Sequence, residues 1–314
     1  MASASFSNDA VSIVVPVYKS SSTIPQLVAR IHAAMLPTTE HEIILVDDSS
    51  PDSSWGEITQ ISRSDIRVRG IRFGRNAGQH AALLAGIRAA KYPVIVTLDD
   101  DLQNPPEEIP RLLEALVNGV DVVYGISPTL KQNLWRRAAS RWSRKIFTST
   151  LGFESAIAMT SFRAFRTSLR DGFSAESGPN ISLDALLTWS TSHFATATVQ
   201  HHPRAEGESN YTVRKLIRFM IDTATGYSTL PLRIATQMGF LITFFGLGLL
   251  VWVIGRLIIT GDSVPGFPLL ASSLAIFSGT QLLVLGVLGE YIGRIHFRVM
   301  HKPTYVVSET TDVK

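Results

Sequence analysis

The sequence lacks cysteine altogether, and it has few charged residues for its length. Its 314 residues include no cysteine, and only 18% are Asp, Glu, Lys or Arg. Without thiols the chain cannot form disulfides, thiolate zinc sites, cysteine-ligated clusters or a cysteine nucleophile. Soluble domains usually carry about 25% charged residues, so the low charge content argues against a disordered or wholly soluble chain and places part of it in lipid.

Charge is absent from two long runs in the C-terminal third. Residues 234–255 and 263–289 contain no Asp, Glu, Lys or Arg. Each run is long enough for the roughly 20 apolar residues that cross a bilayer, and Gly and Pro residues occupy the connection between them. We therefore predict a hairpin of two transmembrane helices, about 234–259 and 268–292. Two buried core helices are the alternative, but they would carry a polar stripe that these runs lack.

The basic residues around the two runs predict their orientation. Four precede the first run and three follow the second, whereas the connection offers only Arg256 and Asp262. Positive charge favours the cytoplasmic side, and the N-terminal residues do not resemble a signal peptide. We expect a multi-pass protein of the cytoplasmic (inner) membrane with both termini inside. The expected parts are a cytoplasmic domain (1–212), amphipathic juxtamembrane helices (213–233), the hairpin (234–295) and a cytoplasmic tail (296–314).

The first 125 residues alternate between short apolar runs and helical patterns. This order is typical of an α/β fold, in which helices cover both faces of a mostly parallel sheet. The predicted strands are Ser12–Tyr18, Glu42–Asp48, Ile66–Phe73, Val94–Asp100 and Val120–Tyr124, and the predicted helices are Thr23–Ala34, Ser53–Ser62, Gln79–Ala90 and Glu107–Asn118.

Acidic side chains end two of the predicted strands. Asp47 and Asp48 end one, and Asp99, Asp100 and Asp101 end another. Ligands of open α/β sheets bind beyond the carboxyl ends of the strands, and carboxylate oxygens suit Mg²⁺ or Mn²⁺. Strand alternation would place Asp99 and Asp101 on the same side. Helix capping is the alternative reading of a single Asp, but two clusters on one sheet favour a nucleotide and metal site.

Four motifs in a fixed order carry a family resemblance. They are Val14–Tyr18, Val46–Asp52, Arg75–Gln79 and Leu98–Glu107, and further matches at 204–218 and 227–233 extend through both apolar runs. Together they resemble the inverting family 2 glycosyltransferases, and among these the polyprenyl-phosphate glycosyltransferases. The resemblance implies a GT-A, Rossmann-like fold and a membrane-anchored enzyme of cell-envelope glycan modification. Such an enzyme would move a hexose from a nucleotide sugar, with UDP favoured over GDP, to a polyprenyl phosphate.

The resemblance also implies roles for individual residues, and Mg²⁺ or Mn²⁺ as cofactor. Those implied to bind the nucleotide sugar are Pro16, Val17, Tyr18, Asp47, Asp48, Arg75, Asn76, Asp99 and Asp100. The metal would be held by Asp99, Asp101 and Gln103. The catalytic set is Asp99, Asp101, Ser161 and Arg163, and the acceptor phosphate would be bound by Arg163, Arg204, Ser209, Tyr211, Arg214 and Lys215.

Among several departures from the family pattern, one falls beside the expected catalytic residues. Many relatives have Asp, assigned as a base, before the Phe-Arg that corresponds to Phe162-Arg163, whereas this chain has Ser161. A phosphate monoester is already largely dianionic at pH 7 because its second pKa is about 6, so the acceptor carries little proton for a base to remove. Asp184 is a candidate substitute base, and helix capping is its simpler reading.

Two basic segments with interleaved apolar residues, 131–145 and 214–220, are typical of helices that lie on an anionic lipid surface. A solvated charged face is the alternative. The net charge of only +3 and the neighbouring apolar runs argue against nucleic acid as a partner. A homo-oligomer, a flippase and a later transferase that uses the product stay open as partners.

Two other functions compete with the transferase. A processive polysaccharide synthase would need more spans and a Gln-x-x-Arg-Trp motif, which Asn133–Arg137 does not match. A membrane subunit that binds nucleotide sugar without turnover is supported by Ser161. It is opposed by Asp99 and Asp101, since clustered carboxylates repel one another unless a cation is bound.

Overall fold

The structure is a computed structural model that describes residues 10–35, 39–127, 160–172, 182–201, 230–260, 266–300 and 303–311. The chain divides into two compact units. The first contains residues 1–148, 152–210 and 301–314, and the second contains residues 149–151 and 211–300. A mixed sheet with helices lies in the first unit, and two long helices lie in the second.

A mostly parallel sheet forms the centre of the first unit. Its strands are β1 (Val11–Val17), β2 (His41–Asp47), β3 (Val68–Phe73), β4 (Val94–Thr97), β5 (Val122–Ile126), β6 (Arg163–Arg166), β7 (Phe194–Thr198) and β8 (Val307–Thr310). Their spatial order is β7-β5-β6-β4-β1-β2-β3-β8. Strands β4, β1, β2 and β3 are mutually parallel, whereas β6 and β8 run antiparallel to their neighbours. The predicted α/β fold class with a mostly parallel sheet is confirmed.

In the described part of the first unit, five helices follow strands or loops of this sheet. They are α1 (Ile24–Ala34), α2 (Ser54–Ser64), α3 (Gln79–Ala89), α4 (Ile109–Ala115) and α5 (Leu183–Ser190). The predicted helix Glu107–Asn118 is shorter in the structure, because a 3-10 turn at Pro106–Glu108 precedes α4. The other three predicted helices agree with α1 to α3 within two residues at either end.

Alternating side chains of β1 pack into two separate apolar layers. Ile13 and Val15 belong to the layer formed with α1, α2 and α4, and Val14 belongs to the layer formed with α3 and α5. All three are completely buried. Because both faces of the central strands are covered, polar groups of these strands reach the surface only at the strand ends.

Two long helices make up the described part of the second unit. They are α6 (Leu230–Thr260) and α7 (Gly266–Val299), and both include the predicted spans. The segments long and apolar enough to cross a membrane are Leu232–Arg256 and Ile276–Gly293. Large apolar side chains such as Phe244 and Leu282 are 70% and 69% exposed. Such an outward apolar surface fits a lipid environment.

Helices α6 and α7 pack closely at one glycine. A Cβ atom on Gly246 would lie 2.8 Å from the Phe277 ring. A Cβ atom on Gly248, Gly286 or Gly289 would meet no described atom within 4 Å. Gly246, unlike these three glycines, therefore allows the close contact between the two helices.

Two features of the sheet differ from the sequence prediction. Residues 307–310, expected in a tail, form the edge strand β8 beside β3. Strand β4 ends at Thr97 rather than at Asp100. The argument from strand alternation for Asp99 and Asp101 is therefore wrong, because both residues lie in the turn after the strand.

Candidate active site

Three loops at the carboxyl edge of the sheet contain strained backbone. Lys19 after β1, Ser49 after β2 and Leu102 after β4 have φ angles of +59°, +57° and +59°. Residues other than glycine rarely adopt this left-handed conformation, which costs roughly 1–2 kcal/mol each. Such strain is concentrated at functional sites. The predicted site thus coincides with the part of the sheet where the backbone is strained.

The loops after β1 and β2 are tied together by hydrogen bonds. The Lys19 backbone N–H donates to Ser50 Oγ at 3.1 Å, and the Ser20 N–H donates to Ser54 Oγ at 3.0 Å. Pro16 and Val17 are buried within β1, whereas Tyr18 is 45% exposed. Of the three residues expected to bind the nucleotide here, Tyr18 is the one with an exposed side chain.

Asp48 organises the loop that contains Arg75 and Asn76. Its two carboxylate oxygens accept backbone N–H bonds from Ala77 at 2.6 Å and Gly78 at 2.8 Å. The Asn76 Nδ2 group donates to the Asp48 carbonyl oxygen at 3.3 Å. Burial raises the pKa of the Asp48 carboxyl, and the two N–H bonds oppose that rise. Asp48 therefore shapes this exposed loop and does not cap α2.

Asp47 is completely buried at the end of β2. Its Oδ1 atom accepts the Ser50 backbone N–H at 3.2 Å, and its Oδ2 atom lies 3.4 Å from Arg72 Nε. Burial raises the pKa of Asp47, and the Ser50 bond and the Arg72 charge lower it. In this conformation Asp47 holds the loop after β2 from the inside.

Three consecutive carboxylates in the turn after β4 point to different partners. Asp99 accepts hydrogen bonds from Gln79 Nε2 at 2.6 Å and from the Ser161 hydroxyl. Asp100 accepts the Tyr18 backbone N–H at 3.1 Å. Asp100 also accepts a hydrogen bond from the Ser20 hydroxyl, and Asp101 Oδ1 accepts the Gln103 backbone N–H at 3.1 Å. This turn therefore joins the loop after β1, the start of α3 and the strand β6.

The electrostatics of this turn favour a cation. Burial raises the pKa of Asp99, and the neighbouring charge of Asp101 raises it further. Burial also raises the pKa of Asp100, to about 6. No group of three or more His, Cys, Asp or Glu side chains suited to a metal occurs in the described segments. Mg²⁺ is commonly held by one or two carboxylates together with substrate phosphates, so Asp99 and Asp101 fit a metal shared with a diphosphate.

Ser161 and Arg163 flank this turn from the neighbouring strand, but they differ in access. The Thr97 hydroxyl donates to the Ser161 carbonyl oxygen at 2.6 Å. Arg163 is only 1% exposed, and its guanidinium donates to Asp184, which also accepts the Tyr124 hydroxyl at 2.9 Å. In this conformation the Arg163 charge is buried and paired with Asp184, so its expected contact with the acceptor phosphate stays a prediction.

The same ion pair bears on the two readings of Asp184, as a substitute base and as a helix cap. Its carboxylate accepts hydrogen bonds from Arg163 and Tyr124, and the N-cap position of α5 is occupied by Ser182, so Asp184 does not cap this helix. Its role as a substitute base stays a prediction. No role was predicted from sequence patterns for Gln79, Ser20, Thr97 or Tyr124. Of these, Gln79 carried a signal, since it ends the Arg75–Gln79 motif and begins a helix after Gly78, whose φ is +94°.

The remaining expected site residues lie outside the described residues. They are Arg204, Ser209, Tyr211, Arg214 and Lys215, together with the basic segment 131–145. Their roles stay predictions.

Comparison with protein families identifies the chain. The model described as Glycosyl transferase family 2 matches residues 12–173. The chain belongs to this family. It is therefore a glycosyltransferase, as the ordered motifs predicted. The match includes β1 from Ser12 onward, strands β2 to β6, and the acidic residues Asp47, Asp48 and Asp99–Asp101.

Curated relatives in the same family match nearly the whole chain. Undecaprenyl-phosphate 4-deoxy-4-formamido-L-arabinose transferase of Pseudomonas fluorescens SBW25 is 35% identical over 307 residues, which cover 95% of this chain and 89% of that protein. The protein of the same name from Aeromonas hydrophila is 35% identical over 303 residues, covering 95% and 93%. The similarity therefore extends through the two long helices as well as the sheet.

Solved structures of low sequence identity share the fold of the first unit. Glucosyl-3-phosphoglycerate synthase of Mycobacterium tuberculosis in complex with Mn²⁺, UDP and glucosyl-3-phosphoglycerate has a TM-score of 0.53 at 16% identity, covering 69% of this chain and 78% of that chain. The same enzyme with Mg²⁺ and UDP gives a TM-score of 0.52, covering 69% and 77%. These likenesses support the predicted GT-A fold.

Proposed function

We propose that this family 2 glycosyltransferase transfers a sugar from a nucleotide sugar, UDP-linked in the first instance, to a polyprenyl phosphate at the membrane surface. The observation that carries the proposal is the Asp99–Asp101 turn at the carboxyl edge of the sheet. It is hydrogen-bonded to the loop after β1 and to Ser161 just before β6, and the loop after β1 is in turn bonded to the loop after β2. Relatives that cover both long helices are named for transfer to undecaprenyl phosphate.

In the proposed reaction, a phosphate oxygen of the acceptor attacks the anomeric carbon of the sugar. The new carbon–oxygen bond forms as the bond to the nucleoside diphosphate breaks, with inversion at that carbon. A dianionic phosphate monoester carries no proton to remove, which is consistent with Ser161 in place of a carboxylate base. A divalent cation held by Asp99 and Asp101 would stabilise the charge of the departing diphosphate, and Gln103 belongs to the same turn.

The other residues of the site have positioning roles in this proposal. The Ser161 hydroxyl and Gln79 orient Asp99 from opposite sides. Arg163, paired with Asp184, holds Thr97 at 3.2 Å and so supports the strand from which the acidic turn begins. Tyr18, Arg75 and Asn76 lie on exposed loops around the turn and would contact the nucleotide.

We also propose that α6 and α7 cross the cytoplasmic membrane as a hairpin, so that the sheet and both termini lie in the cytoplasm. The basic residues on either side of the hairpin support this orientation. Arg204, Ser209, Tyr211, Arg214 and Lys215 would then meet the acceptor phosphate near the membrane surface. A flippase and a later transferase would act on the product, and self-association is compatible with this arrangement.

A transfer assay tests the proposal. Purified full-length protein in detergent receives undecaprenyl phosphate, Mg²⁺ or Mn²⁺, and a panel of radiolabelled UDP- and GDP-sugars that includes UDP-4-deoxy-4-formamido-L-arabinose. We expect an organic-extractable, mild-acid-labile product from one donor. Asp101→Asn should reduce turnover at least about 100-fold through loss of metal binding, whereas the distant Asp65→Asn should not.

Two outcomes would contradict parts of this proposal. Near-normal turnover by Asp101→Asn would remove the metal assignment. If a donor binds in a metal-dependent way but no product forms, a subunit that binds nucleotide sugar without turnover is favoured. Ser161 supports that alternative, because its hydroxyl donates to Asp99 where many relatives have a carboxylate base.

A further inference from the structure

The edge strand β8 contacts side chains beside the candidate nucleotide site. Glu309 on β8 is opposite Arg72 on β3. One carboxylate oxygen of Glu309 accepts a hydrogen bond from Arg72 Nη1 at 2.8 Å, and the other accepts one from Trp55 Nε1 at 3.0 Å. The Arg72 guanidinium also lies over the Trp55 ring, 5.8 Å from its centroid. Glu309 therefore fixes both the position of Arg72 and the ring against which it packs.

Arg72 extends this contact to Asp47. Its Nε atom lies 3.4 Å from Asp47 Oδ2, an oxygen that is buried and accepts no hydrogen bond within the described part of the chain. A buried carboxylate requires a counter-charge or it becomes protonated. The position of Arg72 thus influences how Asp47 is held.

Asp47 in turn supports the loops after β2 and β1. Its Oδ1 atom accepts the Ser50 N–H at 3.2 Å, and Ser50 Oγ accepts the Lys19 N–H at 3.1 Å. Ser49 and Lys19 both have left-handed backbone, which persists only where the surroundings hold it. A continuous series of contacts therefore runs from Glu309 to the residue next to Tyr18.

We propose that Glu309 is a positioning residue for the donor site, through Arg72 and Asp47. This inference rests on the proposed function, because it assigns nucleoside diphosphate binding to the loops after β1 and β2. Glu309 itself touches no reacting group, so it should affect the donor KM and leave kcat largely unchanged. The side chains of Arg72 and Glu309 are 33% and 52% exposed, so water screens their pairing and the effect is moderate.

The first test compares Glu309→Gln with the wild type, using the full chain in detergent. We expect the donor KM to rise about fivefold, in keeping with the loss of one partly exposed ion pair. Val307→Ala is the matched control, because it alters an exposed side chain of the same strand and leaves the carboxylate in place. Arg72→Gln combined with Glu309→Gln should raise the donor KM no further than the larger single effect, since both belong to one series of contacts.

Hydrogen exchange supplies a readout that does not depend on turnover. Peptides covering residues 18–22 and 48–54 should exchange faster in Glu309→Gln than in the wild type or in Val307→Ala. If the wild type transfers sugar but Glu309→Gln leaves both the donor KM and this exchange unchanged, the inference is overturned while the proposed function stands. If the wild type turns over no donor, the proposed function fails and the assignment of Glu309 to a donor site fails with it, whatever the exchange result.

A third result would assign Glu309 a merely structural role. Loss of kcat together with fast exchange over 303–311 would mean that β8 had detached from β3. That result would overturn the positioning role, because it would trace the effect to the strand rather than to the carboxylate.

Discussion

Arg163 and Asp184 form a largely buried ion pair near the acidic turn, so the stability of the fold should depend on both side chains. Removing one partner of such a pair leaves an uncompensated buried charge. We expect Asp184→Asn to lower the free energy of unfolding by about 3 kcal/mol, measured by thermal or denaturant unfolding in detergent. Arg30→Gln is the control, since it breaks the more exposed Arg30–Glu107 pair and should cost at most about 1 kcal/mol. Equal losses from the two variants would contradict the buried pairing.

A second residue, Asp100, should make stability depend on pH. Burial raises its pKa in the folded protein to about 6, against 3.8 for an ordinary Asp. The folded state therefore binds more protons than the unfolded state between these values, and stability falls as pH rises through that window. Asp100→Asn is neutral at every pH and should lack this loss. In EDTA, its melting temperature should exceed that of the wild type by a few degrees at pH 7.5.

The difference between Asp100→Asn and the wild type should shrink as the pH is lowered to 4.5. Asn retains an oxygen that can accept the Tyr18 N–H, so the comparison isolates the charge. An identical difference in melting temperature at both pH values would show that the pKa of Asp100 is not raised.

At the scale of elements, α3 is held against β1 by a glycine. A Cβ atom on Gly86 would collide with Val14 and lie 3.2 Å from Val46 Cγ2. Gly86→Ala should therefore reduce the free energy of unfolding by about 1–3 kcal/mol through overpacking. Gly56→Ala is a matched control within α2, where a Cβ atom meets nothing within 4 Å. That variant should be stabilising by about 0.5–1 kcal/mol.

The elements that the sequence predicted are those specified by local patterns. Strands β1, β2, β4 and β5 are mainly apolar runs, and β3 alternates apolar residues with Arg69 and Arg72, so their own residues indicate them. Strand β6 begins with a buried Arg163, whose burial depends on Asp184 from a distant helix, and no local pattern could predict it. Strand β8 reads Val-Ser-Glu-Thr and is exposed along its length, so only its pairing with β3 makes it a strand.

In the site, as in the fold, features set by local sequence were predictable and features set by distant residues were not. The acidic residues were predictable because the carboxyl ends of parallel strands meet at one edge. Their partners were not, since Ser161 and Gln79 reach Asp99 from parts of the chain that only the folded sheet brings together.

At the scale of the whole molecule, the absence of cysteine makes the membrane orientation directly measurable. Any single introduced cysteine is the only thiol in the protein. We expect Ser263→Cys, between the two predicted transmembrane helices (about 234–259 and 268–292), to react with a membrane-impermeant maleimide in spheroplasts. Gln60→Cys on α2 and Val306→Cys before β8 should react only after the membrane is permeabilised. Both of these positions are exposed, so failure to react in spheroplasts would reflect the membrane and not burial.

Labelling of Val306→Cys decides whether α7 crosses the membrane, because α7 lies between this residue and the connection. Strand β8 pairs with β3, so the residues before and after the two long helices must lie on one side of the bilayer. An even number of crossings satisfies this condition. If Val306→Cys but not Gln60→Cys is labelled in spheroplasts, the chain must cross the membrane once. A single crossing would be incompatible with the pairing of β8 and β3 within one chain.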